Sequence, residues 1–258
     1  MTDESRENTP SPELSVIIPA YNEAGRIERT LAALRNYAAR SGLRCEVIVV
    51  DDGSQDDTGG LVQRFQPTPL LLRLLTNPAN RGKGYSVRQG MRAAAGDVLL
   101  MCDADLSTPI EELRKLRPWL ERGYDVVIGS RDLPDSWLDP PQPPTRRWTA
   151  WVFRALRRRM LLPALQDTQC GFKLFRRPAA QEVFSHATVD GWLFDCEVLG
   201  IADRLGYRIK EIGIVWRNDP DSRVRVWRDG LAALPTLLAI RRRLGRLARR
   251  VAGMKPDV

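Results

Sequence analysis

The sequence predicts an α/β fold, a mostly parallel sheet sandwiched by helices, with an amphipathic helix at the carboxyl end. Two observations carry this expectation. Apolar runs of strand length alternate with helical patterns along the chain, and those runs are nearly continuous in Val, Ile and Leu. Continuous apolar strands belong to sheets covered on both faces, which parallel strands joined by helices provide. With 258 residues, 43% of them hydrophobic, the chain has material for one substantial core.

The elements follow in order. "LSVIIPAYNE" is a short β-branched run ending in a proline turn, and "AGRIERTLAALRNYAARSG" puts Ile27, Leu31, Leu34 and Ala38 on one helical stripe before Gly42 stops it. "CEVIVVDDGSQDDT" repeats the theme: strand, acidic turn, and a helix from about Thr58. A third strand lies in "PLLLRLLTN", a helix in "PANRGKGYSVRQGMRAAAG", a fourth strand in "DVLLMCDAD" and another in "YDVVIGSRD". "LPDSWLDPPQPP" is too rich in proline for a regular element. An aromatic, arginine-rich helix is expected in "TRRWTAWVFRALRRRMLLPAL", then a turn and strand in "DTQCGFKLFRR", a helix in "GWLFDCEVLGIADRLG" and a strand in "YRIKEIGIVW". Finally "LPTLLAIRRRLGRLARRVAG" aligns Leu237, Ile240, Leu244, Leu247 and Val251 on one stripe with arginines elsewhere. The expected organisation is a polar leader over 1–13, one domain over 14–230 and a basic helix and tail over 231–258.

Composition narrows the function. "MTDESRENTPSPE" lacks an apolar h-region and reads as a flexible leader, and no run reaches the roughly 18 apolar residues that span a bilayer. Cys45, Cys102, Cys170 and Cys196 are widely spaced and sit mostly beside apolar residues, as buried free thiols of a reducing cytosol do. His186 is the only histidine, which excludes a histidine dyad and a multi-histidine zinc site and leaves His186 itself as a surface or structural residue. The net charge of +8 is localised: Arg146 to Arg159 carries +6, Arg241 to the end another +6, and the remainder is left at −4. Two basic amphipathic stretches without a DNA or RNA module argue against nucleic acid and for an anionic membrane surface.

The chemistry gathers at strand ends. Ligands of such sheets bind at the carboxyl ends of the strands, where Pro19 to Glu23, Asp51-Asp52 and Asp103-Ala104-Asp105 all fall. Two carboxylates two residues apart on an extended segment project from one face and repel unless a cation sits between them. A divalent ion there, magnesium or manganese, would neutralise a diphosphate and assist its departure; the alternative is an ordinary polar loop after a strand. A nucleotide-sugar donor suits this layout. Small Ala104 admits a ribose, Asp51 or Asp52 can accept from a base N–H, Tyr21 offers a ring for stacking, and Arg81 and Lys83 can reach base or phosphates from a loop loosened by Gly82 and Gly84. Neither a Walker-type loop nor a dinucleotide fingerprint is present.

As a set, "VIIPAYNE", "EVIVVDDGSQDDT", "NRGKG", "DADLS" and "GSR" resemble the signatures of family 2 glycosyltransferases of the GT-A fold. "DTQCGFKLF" with "WLFDCEVLGIADRLGYRIKEI" behind it resembles the dolichyl-phosphate β-glucosyltransferases, with the dolichyl-phosphate mannose synthases nearby. The likeness covers about Leu14 to Trp227. It implies that Pro19, Tyr21, Glu23, Val50 and Asp52 contact the nucleoside, and that Asp103, Ala104 and Asp105 contact the metal and donor phosphates. It also implies that Arg131, Arg217 and Arg223 contact phosphates of donor or acceptor. Ser107 stands where mannose synthases often have glutamine, and Arg223 where lysine is commoner. The packed turn and strand of "DTQCGFKLF" is expected to use Phe172 and Phe175 as core and to turn Asp167, Thr168 and Gln169 towards the acceptor.

The mechanism expected is one in-line displacement at the anomeric carbon, inverting its configuration, with a polyprenyl monophosphate as nucleophile. That oxygen is already anionic near neutral pH and needs little base catalysis. Asp195 occupies the place where relatives acting on hydroxyl acceptors keep a general base; here it either orients the acceptor or caps its helix. The alternatives are a GDP-mannose donor, or transfer to a sugar hydroxyl with Asp195 as base. Expected partners are the nucleotide sugar, the polyprenyl phosphate and the inner, cytoplasmic face of a membrane, with homo-oligomerisation left open. The terminal helix is expected to lie in the interface by its apolar stripe, with Trp148, Trp151 and Phe153 at headgroup depth; the alternative is that the stripe packs on the body.

Overall fold

A computed structural model of the chain describes residues 11–139, 155, 157–217 and 226–253. Strand β1 (Leu14–Ala20) leads to helix α1 (Ile27–Ser41), β2 (Cys45–Asp51), α2 (Thr58–Arg64), β3 (Leu71–Thr76), α3 (Lys83–Ala93) and β4 (Val98–Cys102). A 3₁₀ turn at Ile110–Glu112 enters α4 (Leu113–Glu121), followed by β5 (Val126–Ser130), β6 (Trp137–Asp139), β7 (Phe172–Arg176) and α5 (Arg177–His186). The chain continues through α6 (Phe194–Arg204), β8 (Ile209–Gly213), β9 (Val215–Arg217) and α7 (Val226–Gly253).

The large sheet has the order β3-β2-β1-β4-β7-β5-β8. β7 alone runs antiparallel, wedged between β4 and β5, and the rest are parallel. Successive side chains of a strand face opposite ways, so β1 sends Ile17 into one apolar layer and Val16 and Ile18 into the other. The first layer joins the sheet to α3, α5, α6 and α7; the second joins it to α1 and α4. Every residue of β2 and β5 is buried, which accounts for their unbroken apolar runs. Each fully buried Val, Ile or Leu contributes about 1.5–3 kcal/mol of transfer free energy. The stripe of Ile27, Leu31, Leu34 and Ala38 is the buried face of α1, and Gly42 ends the helix in the left-handed region at φ 67°, its N–H donating to the Ala38 carbonyl.

Three readings change. The proline-rich connection holds a regular element after all: β6 pairs with β9 in parallel, in register from Trp137 opposite Val215 to Asp139 opposite Arg217. Helices α4 and α5 went without a counterpart in the sequence reading. The stripe of the terminal helix packs on the body: Leu237, Ile240 and Leu244 are buried, and Leu244 lies so close to Gly200 of α6 that a Cβ there would come within 2.4 Å of its Cδ1. The buried part of that stripe is not available to a bilayer, so α7 shows solvent its arginines together with Leu234 and Leu238, while Leu247 and Val251 are half-buried. Among the described residues no helix is long and apolar enough to cross a membrane. All four cysteines are free and buried, and His186 is exposed. Residues 1–10 of the expected leader, Trp148, Trp151, Phe153 and Arg223 lie outside the described residues.

Candidate active site

The sheet order brings the motifs together. β2, β1, β4 and β5 all point their carboxyl ends to one rim, and antiparallel β7 brings its amino end there. Asp51 and Asp52, Pro19 to Glu23, Asp103 to Asp105, Arg131 and Asp167 to Gly171 therefore line one edge, as the strand-end argument expects. Backbone strain collects on the same edge: Asn22 and Leu106 adopt φ 55° and 50° in the loops after β1 and β4.

Asp103 is placed by a close approach. Its backbone N–H donates to the Gly171 carbonyl at 3.1 Å, and a Cβ on Gly171 would fall 1.8 Å from Asp103 Oδ2, so only glycine leaves room for the carboxylate. Lys83 Nζ lies 2.6 Å from Asp103 Oδ1. Burial opposes the Asp103 charge, but Lys83 outweighs it and, with Lys173 and Arg131, holds that carboxyl below its ordinary value. Burial likewise opposes the Lys83 charge, and Asp103, Asp195 and Asp105 together keep the ammonium above the usual lysine range. Asp105 goes the other way: burial and then the neighbouring Asp103 charge push it up, against the Ser107 N–H that donates to its Oδ1 at 2.8 Å. Among the described residues Asp105 has no cation within ion-pair distance.

Asp52 is buried and works within the fold. Its Oδ1 accepts from Asn77 Nδ2 (2.7 Å) and the Arg81 N–H (3.0 Å), and its Oδ2 from the Gly82 N–H (2.8 Å). The carboxylate thus shapes the loop that delivers Lys83. That loop is packed, not loose: a Cβ on Gly82 (φ 100°) would meet the Asp190 carbonyl oxygen at 2.5 Å, and one on Gly84 the Val189 oxygen at 2.3 Å. Pro19, Tyr21 and Glu23 are half-buried on the rim; the Glu23 N–H donates to Thr58 Oγ1 and its carboxylate pairs with Arg26. Val50 departs from its expected place, since its side chain is 0% exposed in the core and does not reach the surface. Ala104 is buried, and its carbonyl accepts from Thr30 Oγ1 at 2.6 Å, fastening the Asp103–Asp105 loop to α1.

The other end of the rim is built on ion pairs. Arg131 Nε and Nη2 donate to Asp167 at 2.7 and 3.0 Å, and the Arg131 N–H donates to the same group. Against burial, that guanidinium holds Asp167 well below the carboxylate range. Asp167 in turn is fixed by Glu211, which accepts the N–H groups of Gln166 and Asp167. The expectation that Asp167, Thr168 and Gln169 face an acceptor is therefore corrected: Asp167 and Thr168 are buried, Thr168 against Cys196, and only Gln169 is partly exposed. Arg217 is exposed at the end of β9, where its N–H donates to the Ser107 carbonyl at 2.7 Å and couples that strand to the Asp105 loop.

Asp195 does not cap α6; the helix has no side-chain cap, and Asp195 lies in its first turn, pointed at Lys173 Nζ 2.6 Å away. Lys173 also donates to the Cys170 carbonyl. Burial nonetheless leaves the Asp195 carboxyl raised, with Lys173 and Lys83 opposing. Lys173, Glu211 and Asn77 are the supporting residues that sequence reasoning missed. Lys173 had a signal, a lone cation inside the apolar strand "FKLF".

Two carboxylates, one of them without an ion-pair partner among the described residues, fit a divalent ion. Among the described residues no third acid, histidine or cysteine joins them. That matches magnesium-type binding, in which one or two carboxylates act together with substrate phosphates and water.

Comparison with known proteins agrees with this layout. The profile described as "Glycosyl transferase family 2" matches residues 15–184. A dolichyl-phosphate beta-glucosyltransferase of Trichomonas vaginalis is 34% identical over 220 residues, 81% of this chain and 65% of that one. The corresponding Dictyostelium discoideum protein is 32% identical over 241 residues, covering 88% and 73%. Glycosyltransferase AglD of Haloferax volcanii is 33% identical over 94% of this chain, which spans only 40% of its length. Among solved structures, glucosyl-3-phosphoglycerate synthase of Mycobacterium tuberculosis with Mn2+ and UDP-Glc superposes with a TM-score of 0.65 at 20% identity, over 89% of this chain and 79% of that one, a likeness of fold.

Proposed function

Because the chain belongs to glycosyl transferase family 2, we propose that it moves glucose from UDP-glucose onto a polyprenyl monophosphate of the dolichyl type, inverting the anomeric centre. The observation that carries the reading is the order of charge along the rim. Asp103 pairs with Lys83, Asp105 beside it has no ion-pair partner among the described residues, and Arg131 on the same rim is held by Asp167. That order suits a donor whose diphosphate must be bound and then released as an anion. The names of the most similar relatives supply the acceptor class and the glucosyl group.

Within this reading Asp103 and Asp105 hold a divalent ion, magnesium or manganese, which when bound supplies Lewis-acid stabilisation of the leaving nucleotide. Lys83 adds a fixed positive charge at the same carboxylates. Arg131, aimed by the two-pronged Asp167 contact, and exposed Arg217 bind phosphate oxygens, for which a guanidinium fork is suited. Pro19, Tyr21 and Glu23 face the nucleoside, while Asp52 shapes the loop around it. Gln169 remains as the acceptor-side residue of its motif. Asp195 acts as a positioning group, a reading supported by its 3% exposure and its pairing with Lys173 and in keeping with a phosphate nucleophile that brings its own charge. The arginine face of α7 supports peripheral binding to an anionic, cytoplasmic membrane surface.

The test is transfer of radiolabel from UDP-glucose or GDP-mannose to polyprenyl phosphate, in wild type and Asp195→Asn. Preference for UDP-glucose is expected, with the variant keeping turnover within about ten-fold, less than the 10²–10⁴ that loss of a general base costs. Preference for GDP-mannose would overturn the donor assignment, and loss of activity in an Asp195→Asn variant that melts like wild type would overturn the acceptor assignment.

A further inference from the structure

Where α7 crosses α6, a cavity of about 440 Å³ opens beside the carboxyl end of α5, outside the rim just described. Its floor is apolar, made by Ile201, Leu244 and Leu247, and its walls carry Arg243, Arg246 and Arg250 from α7 with His186 from the last turn of α5 beside them. The three arginines stand three and four residues apart and so share one helix face. One acid, Glu197, touches the cavity, and its oxygens are fully used. They accept the N–H groups of Thr188 and Val189, the Thr188 hydroxyl, and Arg243 Nη1 at 3.2 Å. Arg243 is thereby fixed, also donating to Thr188 Oγ1. Among the described residues neither Arg246 nor Arg250 meets a carboxylate, and like charges four apart on a helix repel. The cavity thus gathers more positive charge than the protein neutralises.

We propose that this cavity seats the phosphate of an anionic phospholipid headgroup. Guanidinium groups from one helix face can chelate phosphate oxygens in paired hydrogen bonds, and the His186 ring can add a hydrogen bond beside them. The apolar floor decides between sources: a free phosphate ion gains nothing from Ile201 and Leu247, whereas a glycerophospholipid lays its glycerol and first methylenes there. The assignment rests on the peripheral-membrane part of the proposed function. It gives that part a defined contact, made by the end of the stripe near Leu247 that α6 leaves half-buried.

Vesicle co-flotation of the full chain tests it, using phosphatidylcholine alone and phosphatidylcholine with about 30 mol% phosphatidylglycerol, which gives an anionic surface. The cavity pair Arg246→Gln with Arg250→Gln is compared with the equally charged outer pair Arg241→Gln with Arg249→Gln, which lines a neighbouring groove and not the cavity, the two sharing only Arg246. Melting curves of all variants check the fold. Wild type should float with the anionic vesicles only. The cavity pair should weaken binding about ten-fold more than the outer pair, and the gap should persist in high salt, where long-range attraction is screened. Equal losses would overturn the cavity while leaving membrane binding intact. Failure of wild type to float would overturn both. Protection against heat by glycerol 1-phosphate or inorganic phosphate equal to that by a short-chain phosphatidylglycerol would reassign the cavity to free phosphate.

Discussion

The two ends of the rim hold their charges in different ways. Around β1, β2 and β4 the acids sit on loops, and the Lys83–Asp103 pair leaves each side chain 33% exposed. Around β5, β7 and α6 the pairs are sunk into the sheet, and Lys173 and Asp195 keep only 1% and 4%. A half-open pair can exchange its partner for a ligand at small cost, whereas a buried pair cannot lose one member without stranding the other charge. Under the proposed function the first end meets the donor and the second aims the residues that do.

The sharpest way to break that contrast is to remove the two lysines separately. Lys173→Met strands Asp195 and should cost about 3–5 kcal/mol in urea unfolding. Lys83→Met leaves Asp103 in reach of water and should cost no more than about 1 kcal/mol. Equal losses would erase the distinction. Restoring most of the stability by adding Asp195→Leu to Lys173→Met would attribute the loss to the stranded charge.

Gly171→Ala sharpens the comparison at the seam between the two ends, because its Cβ intrudes on the Asp103 carboxylate. Displacement of that group by about an ångström should lower turnover by up to about 100-fold, beside the roughly 1–3 kcal/mol of stability that overpacking costs. Gly191→Ala, where nothing lies within 4 Å, should leave turnover unchanged. Equal turnover in the two variants would mean that the close approach does not position Asp103.

A smaller effect concerns acid. Asp167 is held below its ordinary value in the fold, so its contribution is complete above about pH 4 and is lost as pH falls from there towards the lowered folded value. Melting temperature should therefore decline more steeply below about pH 4 in wild type than in Asp167→Asn. Parallel declines would show that the Arg131 pair adds nothing to stability.

Much of the first end was legible because its chemistry lies in short contiguous motifs. Each apolar run of β1, β2 and β4 ends in its own acids or turn, and strand-end placement needs only the alternation of strands and helices. Continuous runs also announced burial on both faces. The second end was harder to read because its partners are far apart in the chain. Asp167 meets Arg131 across 36 residues and Lys173 meets Asp195 across 22, so the sequence exposed the residue types without their pairings. For the same reason Asp167 and Thr168 looked like a surface edge when they are buried supports. The stripe of α7 fitted either a bilayer or a protein surface, and periodicity alone does not distinguish them; Gly200, which admits Leu244, does. The three-residue strands β6 and β9 are too short to leave a periodic signal.

The central claim is that Asp103 and Asp105 act together with a divalent ion on the donor diphosphate. Its most direct test is UDP-glucose turnover as manganese or magnesium is titrated into chelated enzyme, for wild type and Asp105→Asn. The account predicts no turnover without metal, saturable recovery in wild type, and loss of about a thousand-fold or more in the variant at every metal concentration, in line with the several kcal/mol such an ion contributes. Undiminished turnover in chelated buffer, or by Asp105→Asn, would contradict it.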